Sequence, residues 1–185
     1  MNRDQVKAAA TGIAGKVSDA IGMKMNTDET TAHAVPADAI KLLTQDHNDV
    51  KKLFKDYDAL GDRAYASKEK LAQEICGDLK VHMQLEEEIF YPAARKAIRD
   101  ADMMDEADIE HAAAKDLIAQ IEGMKPDESH YDAKVKVLSE EIEHHVKEEE
   151  NEMFVKVKKT KLDLKALGEQ MSERKAQLQA EGGLT

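Results

Sequence analysis

Four stretches of the chain place apolar residues three and four positions apart, which is the spacing that puts side chains on one face of an α-helix. The positions are, in order, Ile40, Leu43, His47, Val50, Phe54 and Tyr57; Leu71, Ile75, Leu79, His82, Glu86, Ile89 and Ala93; Met104, Ala107, His111, Ala114, Ile118 and Ile121; and Val135, Leu138, Ile142, His145, Glu149 and Met153. A histidine interrupts each apolar stripe near its middle. The pattern predicts an all-α fold, an up-down-up-down antiparallel four-helix bundle with helical N- and C-terminal extensions.

The changes in pattern along the chain divide it into four parts. We expect an amphipathic N-terminal arm at residues 1–24, a polar linker at 25–36, the bundle at 37–159 and a charged helical tail at 160–185. The tail carries a narrow stripe of Leu164, Leu167, Met171 and Leu178, which a lone helix would leave poorly buried. Pairing with the N-terminal arm or with a second copy would cover this stripe, so we expect a homo-oligomer formed through the terminal helices.

The distances between breaks and histidines predict that the four imidazoles lie at one level of the bundle. The break at residues 61–67 lies midway between His47 and His82, and the break at 123–128 lies midway between His111 and His145. Between His82 and His111, however, 28 residues intervene, and no break lies midway. The levels agree if the second helix is interrupted near Tyr91–Pro92, because proline removes a backbone donor. Residues 93–102 would then form an extra turn or connector.

Two of the histidines are followed one helical turn later by a glutamate, giving His82-x-x-x-Glu86 and His145-x-x-x-Glu149. A single buried histidine is more often a packed core residue than a ligand, but a buried, unpaired carboxylate is costly. Six such groups on the four apolar stripes therefore predict a pair of metal ions in the core. His144 and Glu148 share the same spacing, but their face of the helix is a polar stripe, so we select His145.

The type of ligand indicates which metal the core would hold. Zinc usually takes fewer ligands in tetrahedral geometry, whereas a mixture of imidazole and carboxylate suits iron, and manganese less well. Glu87, Glu88, Glu148 and Glu150 are expected to face solvent or to orient the ligands.

Composition and charge remove several classes of function. The net charge is −11, and the sequence contains no basic stripe, so we expect the protein to bind neither nucleic acid nor an anionic membrane surface. We find no run long enough to span a membrane and no apolar signal core at the first residues, so neither membrane nor secretion is expected. The single cysteine, Cys76, suits a reducing cytoplasm and is expected at the edge of the core.

The motifs together resemble the hemerythrin-like, HHE cation-binding family. They are Asp46-His47 on the first helix, His82-x-x-x-Glu86 before Ile-Phe-Tyr-Pro, Glu110-His111 on the third helix, and His145-x-x-x-Glu149 before Glu-Met-Phe. The resemblance covers residues 37–157 and implies a non-haem di-iron site that binds or reacts with O2, peroxide or NO. It implies that His47, His82, His111 and His145 are terminal ligands, that Glu86 and Glu149 bridge the irons, and that an oxo or hydroxo group links them.

The chain departs from the oxygen-carrying members of that family at two positions. Those proteins place a second histidine where this chain has Lys115, and their last carboxylate is an aspartate one residue after Glu149. A four-His, two-Glu set is similar to bacterial di-iron proteins linked to repair of damaged iron centres. One fewer imidazole favours reaction with O2, peroxide or NO, as a sensor or scavenger, over reversible carriage. Iron storage, donation or repair under oxidative or nitrosative stress is the alternative, and a structural bundle without metal is a third. Whether the chain is an enzyme stays open.

The first residues, Met1 to Val17, resemble the opening of CsbD-like small bacterial stress proteins. That resemblance would connect the chain to a stress response. A solvated amphipathic arm that packs on the bundle or on another subunit is the alternative interpretation.

Overall fold

The computed structural model describes residues 38–182, which fold into helices joined by short turns. The helices are α1 (Ala39–Asp58), α2 (Tyr65–Leu85), α3 (Tyr91–Ile98), α4 (Ala101–Glu122), α5 (Tyr131–Glu148), α6 (Phe154–Val157) and α7 (Leu164–Gly182). A π-helical turn at Glu86–Phe90 joins α2 to α3, and a second one at Glu149–Met153 joins α5 to α6. Asp38 and Asp100 begin α1 and α4 by accepting hydrogen bonds from Lys41 N and Met103 N.

The long helices form a ring in which each packs against its neighbours. Helix α1 contacts α2, α2 contacts α4, α4 contacts α5, and α5 closes the ring against α1. The turns at residues 59–64 and 123–130 join antiparallel hairpins, close to the breaks that the sequence predicts. The expected all-α, four-helix architecture is confirmed, and residues 38–182 contain no β-strand.

The apolar interior of the bundle is divided into two clusters by a layer of polar side chains. One cluster includes Leu43, Phe90 and Phe154, and the other includes Leu79, Ile118 and Leu138. Between them lie four buried histidines, one from each long helix of the ring: His47, His82, His111 and His145. The predicted positions of the first, third and fourth stripes are all buried; the first and third lie on regular α-helix, and the fourth continues into the second π turn.

The second helix departs from its predicted seam after Glu86. The chain stays helical through Tyr91–Pro92 and ends only at Ile98, where Arg99 adopts a left-handed conformation with φ of 54°. The predicted interruption of the helix at Pro92 is therefore wrong, and the helix breaks at Arg99 instead. The π turn accommodates the proline, since Pro92 lies directly after it, where the hydrogen-bond pattern of the helix is already altered. The wider turn also moves the buried face by one residue, so Phe90 and Ala94 are buried while Ile89 and Ala93 are only partly so.

The C-terminal tail folds back onto its own bundle as α7, which packs against α1, α2 and the first π turn. Leu167, Met171 and Leu178 are buried there, so the stripe that suggested a homo-oligomer is already covered within the chain. That basis for the oligomer was wrong because the sequence does not show which surface the tail would meet. Gly168 permits the contact, since a Cβ at this position would lie 2.7 Å from backbone atoms of Asp38 and Ala39.

Three further sequence predictions concern the N-terminal region, Cys76 and membrane-spanning helices. The arm at 1–24, the linker at 25–36 and the resemblance to CsbD-like proteins lie outside the described residues. Cys76 is buried among apolar neighbours rather than at the core edge, and burial raises the pKa of its thiol to about 12. Between residues 38 and 182, we find no helix that combines the length and apolar character needed to cross a bilayer.

Candidate metal centre

The six predicted ligands meet in one buried layer at the centre of the bundle. Each histidine or glutamate has at most 5% of its surface exposed, and Glu86 has none. The Nε2 atoms of His47 and His82 lie 3.1 Å apart, and those of His111 and His145 lie 3.1 Å apart. The four imidazoles therefore lie at one level, as predicted, although the break before α4 falls at Arg99–Asp100 and not at Pro92.

The ligand atoms divide into two groups that share one carboxylate. His47, His82, Glu86 and Glu149 offer one set of atoms within 4.8 Å of one another, and Glu86, His111 and His145 offer another. Oε2 of Glu86 lies 3.2 Å from His82 Nε2 and 3.3 Å from His111 Nε2, so it lies between the two groups. Either group has the donor types and the spacing to hold a metal ion.

Several buried atoms of this cluster have no hydrogen-bond partner. They are both carboxylate oxygens of Glu86, Oε2 of Glu149 and Nδ1 of His82. Buried polar atoms are nearly always paired, and an unpaired ionised carboxylate is especially costly. A cation bound between these carboxylates and imidazoles would satisfy the unpaired oxygens, so the residues present fit a metal centre.

Tyr91 is a member of the cluster that the sequence did not single out. Its hydroxyl donates to Glu149 Oε1 at 3.0 Å and lies 3.1 Å from His111 Nε2. Burial raises the pKa of Tyr91 well above its usual value, and the nearby charges of Glu149 and Glu86 act in the same direction. The phenol therefore stays protonated and can donate a hydrogen bond inside the centre.

An outer carboxylate lies beside the second nitrogen, Nδ1, of each histidine. The pairs are His47 with Glu150 at 2.8 Å, His111 with Glu87 at 2.9 Å, His145 with Glu110 at 2.7 Å, and His82 with Asp46 at 3.7 Å. Each carboxylate comes from the preceding helix of the ring or its π turn. A carboxylate that accepts from Nδ1–H leaves the lone pair of Nε2 free for a cation and fixes the ring orientation.

Two of these outer carboxylates are held by lysines. Lys175 of α7 forms an ion pair with Asp46, and Lys115 of α4 lies 2.5 Å from Glu87 Oε2. Burial opposes ionisation of Glu87, but the hydrogen bond from Lys115 and the neighbouring His111 outweigh it, and the pKa of Glu87 is lowered. Lys115 therefore binds an outer carboxylate and remains 47% exposed, rather than entering the centre.

Without a cation, protons on the imidazoles supply positive charge. Burial disfavours a charged His145, but the charge of Glu149 and the hydrogen bond to Glu110 outweigh it and raise the pKa of His145 to about 9. The pKa of His47 is raised in the same way, with Glu149 as its main partner. Burial would raise the pKa of Glu149, but His145 and His47 lower it, so this carboxylate is ionised.

The neighbouring His-x-x-x-Glu pair faces outward, as expected from its polar stripe. The side chain of His144 is 62% exposed and that of Glu148 is 40% exposed, whereas His145 and Glu149 are buried. Glu88 also lies outside the centre, where it pairs with Arg174 of α7.

Sequence reasoning missed Tyr91, Asp46 and Glu110 as parts of the centre. A signal for the carboxylates was present, because Asp46 and Glu110 directly precede a histidine, as Glu87 and Glu150 directly follow a buried glutamate. Each of these neighbours lies about 100° around its helix from the ligand and so reaches the adjacent helix. Tyr91 follows the π turn, whose extra residue turns it inward, and the regular spacing gives no sign of this.

Comparisons with known proteins bear on the fold and on the family of the chain. The chain is 28% identical over 157 residues to a DNA nickase of Nostoc sp., a match that spans 81% of this chain but only 43% of the length of that curated relative. The fold of the present chain matches the crystal structure of a hemerythrin HHE cation-binding domain-containing protein from Mycobacterium kansasii. That match has a TM-score of 0.67 and 24% identity, and it covers 78% of this chain and 88% of the other.

A family model, the hemerythrin HHE cation-binding domain, matches residues 38–157, which include α1 to α6 and all six buried ligand candidates. The resemblance drawn from the histidine and glutamate motifs is therefore confirmed. The chain belongs to the hemerythrin HHE cation-binding domain family.

Proposed function

We propose that this protein is a non-haem di-iron protein that binds or reacts with O2, peroxide or NO in stress sensing or scavenging. The observation that carries the proposal is Glu86, a carboxylate with no exposed surface whose two oxygens lack hydrogen-bond partners. It lies in both groups of candidate ligands. A carboxylate in this position is explained if it bridges two cations.

The ligand assignment follows from the two groups. His47 and His82 would hold one ion and His111 and His145 the other, with Glu86 and Glu149 between them. The donor set of four imidazoles and two carboxylates favours iron over zinc, which closes its sites with fewer ligands. When bound, two iron ions would supply one-electron redox chemistry toward a small molecule such as O2, peroxide or NO.

Access to the centre supports reaction with a small molecule. A cavity of about 150 Å³ between α4 and the second π turn is lined by His145 and Glu149. Its volume is many times the roughly 10–15 Å³ that one water requires. Tyr91 would donate a hydrogen bond within the centre, and the outer carboxylates would hold the imidazoles in one orientation.

Iron storage, donation or repair of damaged iron centres is the second candidate. The same cavity favours it, because Glu106, Glu110, Glu148 and Glu152 line it and would attract cations. The stress role and the cytoplasmic location remain predictions.

Metal analysis of purified protein, combined with optical spectra, tests the proposal. We expect about two irons per chain and a near-ultraviolet absorption that changes with peroxide or after reduction and exposure to air. The double variant His82→Ala, Glu86→Ala should lose both irons. The control His144→Ala, Glu148→Ala removes the same residue types one position away and should keep both. Equal iron content in the two double variants would sink the di-iron assignment.

A transfer experiment separates the two candidates. If the protein mainly handles iron, reduced protein will pass its iron readily to an apoprotein acceptor, and peroxide will be consumed slowly. Retention of iron during repeated peroxide turnover supports the reactive di-iron protein instead.

A further inference from the structure

A second cluster of candidate metal ligands lies outside the buried centre, between α4 and α5. Ligand atoms of Glu110, His144 and Glu148 lie within 4.8 Å of one another. His144 Nε2 is 3.3 Å from Glu148 Oε1 and 3.6 Å from Glu110 Oε1. One imidazole and two carboxylates are suitable ligands for a divalent transition-metal ion.

Glu110 connects this outer cluster to the buried centre. Its Oε1 faces His144, while its Oε2 accepts from His145 Nδ1 at 2.7 Å. Glu110 and Glu148 also line the 150 Å³ cavity that contains His145 and Glu149. Glu149 also lines this cavity, is 1% exposed and has one oxygen, Oε2, without a hydrogen-bond partner, so the cavity extends from the partly exposed Glu110 and Glu148 to a candidate ligand of the buried centre.

The charges around the ring of histidines distinguish this side of the bundle. Asp46 is paired with Lys175 and Glu87 with Lys115, whereas Glu110 and Glu150 form no ion pair with a lysine within residues 38–182, and the second neighbour of Glu110 is a histidine. The cavity beside Glu110 is lined by glutamates, methionines, an alanine and His145, with no lysine or arginine among its lining residues. A concave surface of one charge sign concentrates counter-ions, so cations would gather here rather than beside the lysine-bound carboxylates.

We propose that Glu110, His144 and Glu148 form an uptake site where a divalent cation binds before it moves along the cavity to the buried centre. The inference rests on the proposed function, since it takes the buried cluster as the destination. The exposure of His144 and Glu148 leaves a bound ion partly hydrated, which keeps binding weak enough for release inward. The site therefore affects the rate of metal uptake and leaves the final metal content unchanged.

The test measures anaerobic Fe²⁺ uptake by the full-length apoprotein, followed by stopped-flow spectroscopy and by metal analysis at the end point. The variant is His144→Asn, Glu148→Gln, which keeps Glu110 in place for His145. A matched control, His130→Asn, Glu169→Gln, removes the same charges from exposed positions at the start of α5 and on α7. Wild type and control should show uptake rates that saturate with Fe²⁺ concentration.

In the His144→Asn, Glu148→Gln variant we expect uptake to slow by at least about tenfold and to become linear in Fe²⁺, with the same final iron content. Uptake at the control's rate overturns the uptake site while leaving the di-iron centre intact. A variant that folds but ends with less iron also contradicts it, because the site would then hold resident metal. If wild-type apoprotein takes up no iron at all, the proposed function itself fails, and this inference fails with it.

Discussion

Glu150, on the second π turn, accepts a hydrogen bond from Nδ1 of His47 on α1 at a distance of 2.8 Å. The same hydrogen bond recurs between His111 and Glu87 and between His145 and Glu110, and Asp46 lies 3.7 Å from Nδ1 of His82. An acidic residue from the preceding member of the ring therefore faces each candidate ligand imidazole. The pattern couples the packing of neighbouring helices to the geometry of the centre. Displacing one helix would therefore disturb a ligand on another.

Removing the outer carboxylate of Glu150 should weaken metal binding without removing a ligand. For Glu150→Ala we expect metal affinity to fall by about 10–100-fold, because His47 loses the partner that fixes its ring and its tautomer. Competition against a chelator of known affinity measures the change. Glu143→Ala, an exposed glutamate on α5, is the control and should bind metal as wild type does. Equal affinities for the two variants would show that Glu150 does not orient His47.

Tyr91→Phe should affect both stability and the spectrum of the centre. Loss of the hydroxyl that donates to Glu149 leaves a buried carboxylate oxygen without its partner, and we expect the free energy of unfolding of the apoprotein to fall by about 1–3 kcal/mol. Urea unfolding measures this, and optical spectra of the iron-loaded variant report the changed surroundings. Tyr131→Phe, in the apolar cluster away from the centre, should leave the spectrum unchanged. A Tyr91→Phe spectrum identical to wild type would place the hydroxyl outside the influence of the metal.

The close approach of α7 to the start of α1 should make Gly168 intolerant of substitution. Alanine normally stabilises a helix over glycine by about 1 kcal/mol, and Gly77 on α2 has open space around the added Cβ. At Gly168 the added Cβ would meet backbone atoms of Asp38 and Ala39 at 2.7 Å, and backbone cannot move aside easily. We therefore expect Gly77→Ala to raise the midpoint of thermal unfolding and Gly168→Ala to lower it. A higher midpoint for Gly168→Ala would show that α7 is not docked in this way.

A buried lysine at the far end of the bundle should make stability sensitive to acid. Lys68 is buried and donates to Asp132, which also accepts from Tyr57. Burial would raise the pKa of Asp132, but the hydrogen bond from Lys68 outweighs it, so its pKa is lower in the folded than in the unfolded chain. Above a pH of about 4, the ordinary pKa of an aspartate, the lowered pKa of Asp132 stabilises the fold. This stabilisation is lost as the pH falls through the pKa that Asp132 has in the folded chain.

Asp132→Asn should therefore remove one component of the acid dependence. Between about pH 5 and pH 3, we expect the free energy of unfolding of the variant to fall less steeply than that of wild type. Urea titrations at several pH values measure the slopes. The exposed Asp127→Asn is the control and should keep the wild-type slope. Parallel slopes for all three proteins would contradict the assigned interaction.

The helical spacing of the sequence was enough to predict the bundle and the face on which each histidine lies, but the common level of the four histidines was predicted with an interruption at Pro92 that the structure places at Arg99. His47, His111 and His145 lie on stripes whose apolar residues are regular on both sides, so the face that each presents to the core is fixed by local geometry. The same spacing distinguished His145 from His144, because the two residues point about 100° apart on one helix. The sequence alone therefore determined the four-helix architecture and which six side chains would face one another.

Tertiary structure decided what local periodicity does not contain. The π turn at Glu86–Phe90 adds a residue to the helix, which brings Tyr91 into the centre and moves Ile89 out of the core. Packing between helices pairs Asp46 with His82 and Glu110 with His145, residues far apart in the chain. Docking of α7 covers a stripe that suggested a second subunit. Helical spacing follows from contacts between residues three and four apart, whereas these features depend on which surfaces meet across the fold.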